Sequence, residues 1–173
     1  NNGIVRFNSG ATIYNNGFTQ TIDVVDGTTF YNVEVNQTCS DCTGITLTVA
    51  SGKKVVATNN LTSTTGAMNG SWEVQGNLIA AAASSEGSGT ITMNGTGAQT
   101  YSSAGGRLPN LVINKVSGAV TPALGTTESI LNTFALTAGS FTAPSGIMSI
   151  GQINPGQALT VFTVSAGTFS HNN

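Results

Sequence analysis

Charge is what this chain has least of. Only 7% of its 173 residues are charged, against roughly a quarter in an ordinary soluble domain. The scarcity of Glu, Lys and Arg removes the residues that build solvent-exposed helix faces, which excludes a helical bundle. The five basic residues, Arg6, Lys53, Lys54, Arg107 and Lys115, are scattered, and the net charge is −2. A nucleic-acid surface needs a basic stripe, so that partner is excluded. Long apolar runs are also missing. The most apolar stretch, "NLIAAAASS" (77–85), is far short of the ~20 residues of a spanning helix, so no membrane insertion is expected in this segment. Two cysteines cannot make a four-cysteine zinc site or a disulfide-dense scaffold.

Thr and Ser fill about a quarter of the chain, and there are 22 glycines. Thr favours strands, while Gly, Asn and Ser favour turns. Short stretches with period-2 alternation recur between turn residues: "IVRF" (4–7), "TIDVV" (21–25), "FYNVEV" (30–35), "ITLTV" (45–49), "SWEVQG" (71–76), "TITMNG" (90–95), "NLVINK" (110–115), "IMSIG" (147–151) and "LTVFTV" (159–164). None has an internal proline; Pro109, Pro122, Pro144 and Pro155 fall at strand edges or turns, where a missing ladder donor is tolerated. The pattern predicts an all-β chain.

Two halves align. "GIVRFNSGATIYNN" (3–16) matches "GTITMNGTGAQTYSS" (89–103), "TTFYNVEVNQ" (28–37) matches "GRLPNLVINK" (106–115), and "LTSTTGAMNGSWEVQGNL" (61–78) matches "LTAGSFTAPSGIMSIGQIN" (136–154). The offset wanders between about 75 and 87 residues, as it does when turns absorb insertions and strands keep register. The expectation is a parallel β-helix or β-solenoid built from two divergent repeats of about 75–87 residues. The units are 1–87, carrying a "CSDC" insertion, and 88–173, forming one continuous domain. The last residues joined to the first read "GTFSHNNGIVRFNSG", parallel to "SSEGSGTITMNGTG" (84–97). The ends are therefore expected to be phases of a repeat that continues or stacks end to end.

The motifs "GSFTAPSGIMSIG" (139–151), "GTITMNGTGAQTY" (89–101), "LPNLVINK" (108–115) and the joined "AGTFSHNNG" resemble tandem repeats of large bacterial cell-surface, adhesin-like proteins. The resemblance covers nearly the whole chain. It implies a β-solenoid fold, an extracellular, cell-surface location, and a stalk, adhesin rod or filament whose partners are copies of itself or adjacent repeats, with surface glycans as a further partner. It brings no catalytic residue.

Each candidate chemistry has a bland alternative. "TCSDCTG" (38–44) lacks the further ligands of a zinc site and the His of a haem attachment. A local disulfide Cys39–Cys42 is the favoured reading; inter-chain pairing, a metal and free thiols are the alternatives. The carboxylates Asp23, Asp26, Glu34, Asp41, Glu73, Glu86 and Glu128 read as solvated surface groups, because no pair recurs in the second unit and Arg107 and Lys115 stand alone; a glycosidase needs two that face each other. His171 has no partner constellation and reads as a corner residue. Asn36, Asn60, Asn69 and Asn94 head glycosylation triplets that this composition produces by chance. Trp72, Tyr14 and Tyr31 could stack on a sugar ring, against a core role. No catalytic residue, metal or cofactor is expected. The function expected is a structural or interaction protein, with a carbohydrate-binding or carbohydrate-degrading β-helix and a phage fibre or tailspike segment as alternatives.

Overall fold

The structure is a computed structural model that describes residues 2–8, 19–37, 46–81, 87–123, 127–151, 161–164 and 167–171. It is all-β, and every strand pairing is parallel. Parallel neighbours need a return path for the chain, and here the path is the next strands of the same coil. Strands numbered in chain order fall into three stacks, which the chain visits in turn. The first stack holds β1 (Ile4–Asn8), β4 (Asn32–Asn36), β7 (Leu61–Thr65), β10 (Leu78–Ala80) and β12 (Gln99–Ser102). It continues through the ends of β13 (Asn110–Pro122) and β15 (Thr133–Ala143) to β18 (Thr168–His171). The second holds β3 (Thr28–Phe30), β6 (Lys54–Ala57), β9 (Ser71–Val74), β11 (Thr90–Met93), the beginnings of β13 and β15, and β17 (Val161–Val164). The third is split into β2 (Thr19–Ile22), β5 (Thr46–Val49) and β8 (Ala67–Asn69), and a separate pair, β14 (Thr127–Ile130) and β16 (Ile147–Ile150). The long strands β13 and β15 each serve two stacks, which joins the first two into one 13-stranded sheet. The result is a large parallel sheet wound into a solenoid-like shape.

The register sets the repeat that the backbone follows. Stacked partners lie between 17 positions apart (Leu61↔Leu78) and 29 apart (Asn36↔Thr65). A stretch of 75–87 residues therefore covers several coils. Phe7 and Met93, aligned in the sequence, stand on different stacks, in β1 and β11. Pairing crosses residue 87 without a break, through Trp72↔Ile91. The stretch "FYNVEV" is not one strand: the chain turns a corner at Tyr31, between β3 and β4. Residues 61–74 pack three strands separated by single glycines, Gly66 and Gly70, both at positive φ.

Alternation along each strand sends one row inward, and stacking places like on like. One row runs Val55, Trp72, Ile91, Leu111, Phe134; the neighbouring row runs Ala57, Val74, Met93, Ile113, Leu136. All ten are buried. Each large side chain removed from water contributes about 1.5–3 kcal/mol, which is why a nearly uncharged chain can hold together. At the corner between the second and first stacks, asparagines carry the bonding from coil to coil. Asn32 Oδ1 accepts the Asn60 N–H (3.1 Å), Asn60 Oδ1 accepts the Asn77 N–H (3.3 Å), and Asn77 Oδ1 accepts the Thr100 N–H (2.8 Å).

The same corner leaves no room for a side chain at Gly76, where a Cβ would collide with the Asn59 carbonyl; nothing lies within 4 Å of a Cβ at Gly97. Gly76→Ala should therefore lower stability by about 1–3 kcal/mol through forced backbone shifts, while Gly97→Ala leaves it unchanged. Urea unfolding followed by far-UV circular dichroism would compare the two, and equal midpoints would refute the tight-corner account.

Candidate functional site

The interior is not wholly apolar, and its polar groups are the residues that the sequence pattern hid. In β14 the alternation of Thr-Glu-Ser-Ile puts Glu128 on the same inward face as Ile130, and Glu128 is 2% exposed. It stacks on Met148, so the expected surface carboxylate is a core residue instead. The Ser103 N–H donates to Glu128 Oε2, and the Ser102 and Ser103 hydroxyls also bond its carboxylate. Ser103 Oγ accepts the Ser129 N–H (3.1 Å), and Ser102 Oγ accepts the Ala104 N–H (3.0 Å). Ala104 has φ 44°, a left-handed conformation that a residue with a Cβ rarely adopts. Burial raises the pKa of Glu128, and the bonds from Ser103 and Ser102 oppose the rise. Tyr101, buried on the neighbouring strand, has its phenol pKa raised as well, by burial first and by the Glu128 charge second.

Lys115 is the second such group. It shares the inward parity of Leu111 and Ile113 in β13 and is 2% exposed. Its Nζ donates to the Gly95 carbonyl, to the Gly97 carbonyl (2.8 Å) and to Gln99 Oε1 (2.6 Å). Gln99 Oε1 also takes the Gly95 N–H (2.9 Å), and Gln99 Nε2 donates to the carbonyls of Val74 (3.0 Å) and Gly76. All three ammonium protons are thus used. Burial lowers the Lys115 pKa. Alternation within "NLVINK" was the available signal, since it puts Lys115 in phase with Leu111; the prior that lysine stays outside overrode it.

Chemically, these clusters fasten one coil to the next. A nucleophile paired with a carboxylate is present at Ser103 and Glu128, but both are at most 2% exposed, so no ligand reaches them. Among the described residues, no group of three or more His, Cys, Asp or Glu could hold a metal ion. Trp72 is buried, and its Nε1–H donates to the Asn69 carbonyl (3.0 Å). Its ring offers no face to a sugar, which corrects the stacking role considered for it. Tyr31 is 38% exposed and lies elsewhere, at the edge of the first coil. Tyr14, Cys39 and Cys42 lie outside the described residues, as do Asp41 and Glu86. Of the remaining carboxylates, Glu34 pairs with Arg6 (2.7 Å), Asp23 with Lys53 (2.5 Å) and Glu73 with Lys54 (2.7 Å), in each case across neighbouring coils. Asp26 Oδ1 accepts the Lys54 N–H (3.0 Å). The glycosylation-triplet asparagines are likewise engaged: Asn69 Oδ1 takes the Ser88 N–H (2.7 Å) and Asn94 Nδ2 donates to Glu73 Oε2 (3.0 Å).

A surface recess among the described residues lies at the first coil. Gly3, Ile4 and Val5 with Thr29, Phe30 and Tyr31 line a groove of about 300 Å³. Behind it Phe7 and Phe30, both half-buried, meet edge to face with centroids 6.5 Å apart. No protein-family model, no curated protein and no solved structure matches this chain.

A carboxyl whose native pKa is raised binds more protons folded than unfolded. Its contribution to stability is complete below the ordinary glutamate value of about 4.3 and is lost as pH rises through the raised native value. Glu128→Gln should therefore remove part of a decline in melting temperature between pH 4 and pH 8; parallel profiles for the two proteins would rule this out. Lys115→Met removes the ammonium donor of the Gly95 and Gly97 carbonyls, while Gln99 Oε1 keeps the Gly95 N–H, and should cost about 1–3 kcal/mol, read by denaturant unfolding at pH 7. An unchanged midpoint would mean that the lysine cage contributes nothing.

Proposed function

We propose that this chain is a segment of a repetitive extracellular parallel β-helix that serves as a cell-surface stalk, adhesin rod or filament, and that it does no catalysis. The observation that supports the reading is the continuity of the coil-to-coil ladder: Val55, Trp72, Ile91, Leu111 and Phe134 stack without interruption, each on its counterpart one coil away. Interior titratable groups are saturated by neighbouring coils, and the outward ion pairs also link coil to coil, so the chemistry present serves cohesion. On this reading, the recurrence of about 75–87 residues is a longer modulation spanning several coils, and adjacent repeats or further copies continue the stack.

The mechanism is mechanical. Inter-strand hydrogen bonds in a stacked coil lie roughly along the axis, so axial tension loads many of them together. The first stack is eight strands deep, which at about 4.8 Å per step gives a ladder about 34 Å tall. Thr, Asn and Ser on the outer rows keep the surface hydrated without net charge.

Pulling a single molecule by its two termini tests this reading. Coils of 17–29 residues (Leu61↔Leu78, Asn36↔Thr65) should release stepwise, each freeing about 60–100 Å of chain at 3.3–3.6 Å per residue. Smooth extension at low force, with no coil-sized steps, would refute a load-bearing role.

A further inference from the structure

Lys115 is an enclosed lysine with no carboxylate among its acceptors. Lys53 and Lys54 each reach a carboxylate near the surface (2.5 and 2.7 Å), whereas Lys115 Nζ donates to the Gly95 and Gly97 carbonyls and to the Gln99 side-chain amide. Lys115 is 2% exposed and Gln99 1%. At this point β13 passes from the second stack to the first. The next coil closes over the lysine at Gly139, where a Cβ would come within 2.7 Å of Lys115 Cβ. An ammonium group taken out of water with only neutral acceptors is costly, and burial favours its uncharged form.

The neighbouring amide is oriented to receive an amine. Gln99 Oε1 accepts from Lys115 Nζ (2.6 Å) and from the Gly95 N–H (2.9 Å), while Nε2 donates to the Val74 (3.0 Å) and Gly76 carbonyls. These partners fix which end of the amide is oxygen and turn the carbonyl toward the lysine. Cδ lies one C=O bond, about 1.23 Å, beyond Oε1, so Nζ is no more than about 3.8 Å from it. Reacting atoms held for attack stand about 3–3.5 Å apart. The Gly95 N–H is aimed at the oxygen on which attack would place negative charge.

We infer that Lys115 and Gln99 join through a covalent amide crosslink that fastens one coil to the next, with the hydrogen-bonded pair as its reactant. The ammonium gives one proton to solvent, and the neutral Nζ attacks Cδ. The Cδ–Nε2 bond then breaks, a second Nζ proton passes to Nε2, and ammonia leaves. One amide replaces another, so no oxidant, reductant or cofactor takes part. The product removes a buried charge and leaves Nζ one N–H for a corner carbonyl. Holding two groups in place is worth an effective concentration of about 10⁵–10⁸ M, and a step that runs once per molecule needs time rather than turnover. The crosslink requires only the fold and stands whether or not the chain serves as a stalk.

Mass spectrometry of the reduced, denatured full chain, followed by tryptic mapping, tests the crosslink. The wild-type mass should fall short of the sequence mass by one molecule of ammonia. Trypsin cuts after Arg107, between the two residues, so the fragments carrying Gln99 and Lys115 should stay joined, with no cleavage after Lys115. Lys115→Met and Gln99→Met should each have the full mass of their own sequence and give separate fragments. A wild-type protein of full mass that trypsin cuts after Lys115 overturns the inference, and this readout depends on neither variant folding. Loss of ammonia that persists in Lys115→Met, without joined fragments, also overturns it, because ring closure at an Asn-Gly pair such as Asn69-Gly70 sheds the same mass.

Discussion

The described fold depends on one constraint: strand residues are stacked, in parallel register, on residues one coil away. A helix bundle tolerates almost any residue at a given surface site, but here a position inherits the chemistry of its row. The row containing Trp72 must be apolar because its members Ile91 and Leu111 are equally enclosed. The corner containing Gly76 must be small because the Asn59 carbonyl lies directly against it. Asparagine suits the corners because its carbonyl oxygen can accept the backbone N–H of the next coil while the strand ladder restarts, as Asn32, Asn60 and Asn77 do in succession.

The same constraint explains how two ionisable side chains survive inside. A buried charge is costly unless its hydrogen-bonding capacity is met. Lys115 meets it with two corner carbonyls and the Gln99 amide, and Glu128 meets it with a serine pair and a backbone N–H. In both cases the partners come from the preceding coil, so the polar group acts as a pin between coils. Uniform apolar rows could slide by two residues without losing burial. A lysine that must find three oxygens cannot, which gives these pins a role in holding register rather than in adding stability.

This balance also shapes the functional reading. Among the described residues, the ionisable side chains are engaged within the chain itself. Glu73 is shared by Lys54 and Asn94, Asp23 is held by Lys53, and the Ser103–Glu128 pair is enclosed. Exposed among the described residues are strand edge, a shallow groove at the first coil, single apolar side chains such as Val25 and Val116, and outward rows rich in Thr and Asn.

Alternation and turn residues in the sequence determined the class of this protein on their own. Stretches such as "NLVINK" and "SWEVQG" announce strands because a period of two with β-branched residues can bury one face of a sheet and not a helix. The low charge likewise announced cohesion through backbone bonds. Local pattern could not say which strand lies over which, because register is a relation between residues 17 to 29 positions apart and insertions in the corners blur that spacing. The tertiary structure alone decided the register of the stacked strands, that Tyr31 is a corner within an apparently continuous strand, and that Trp72 faces inward. It also placed Lys115 and Glu128 in the core. Their burial is affordable only because particular carbonyls and hydroxyls from another coil meet them there, and no reading of neighbours along the chain can supply a partner that folding brings from a distance.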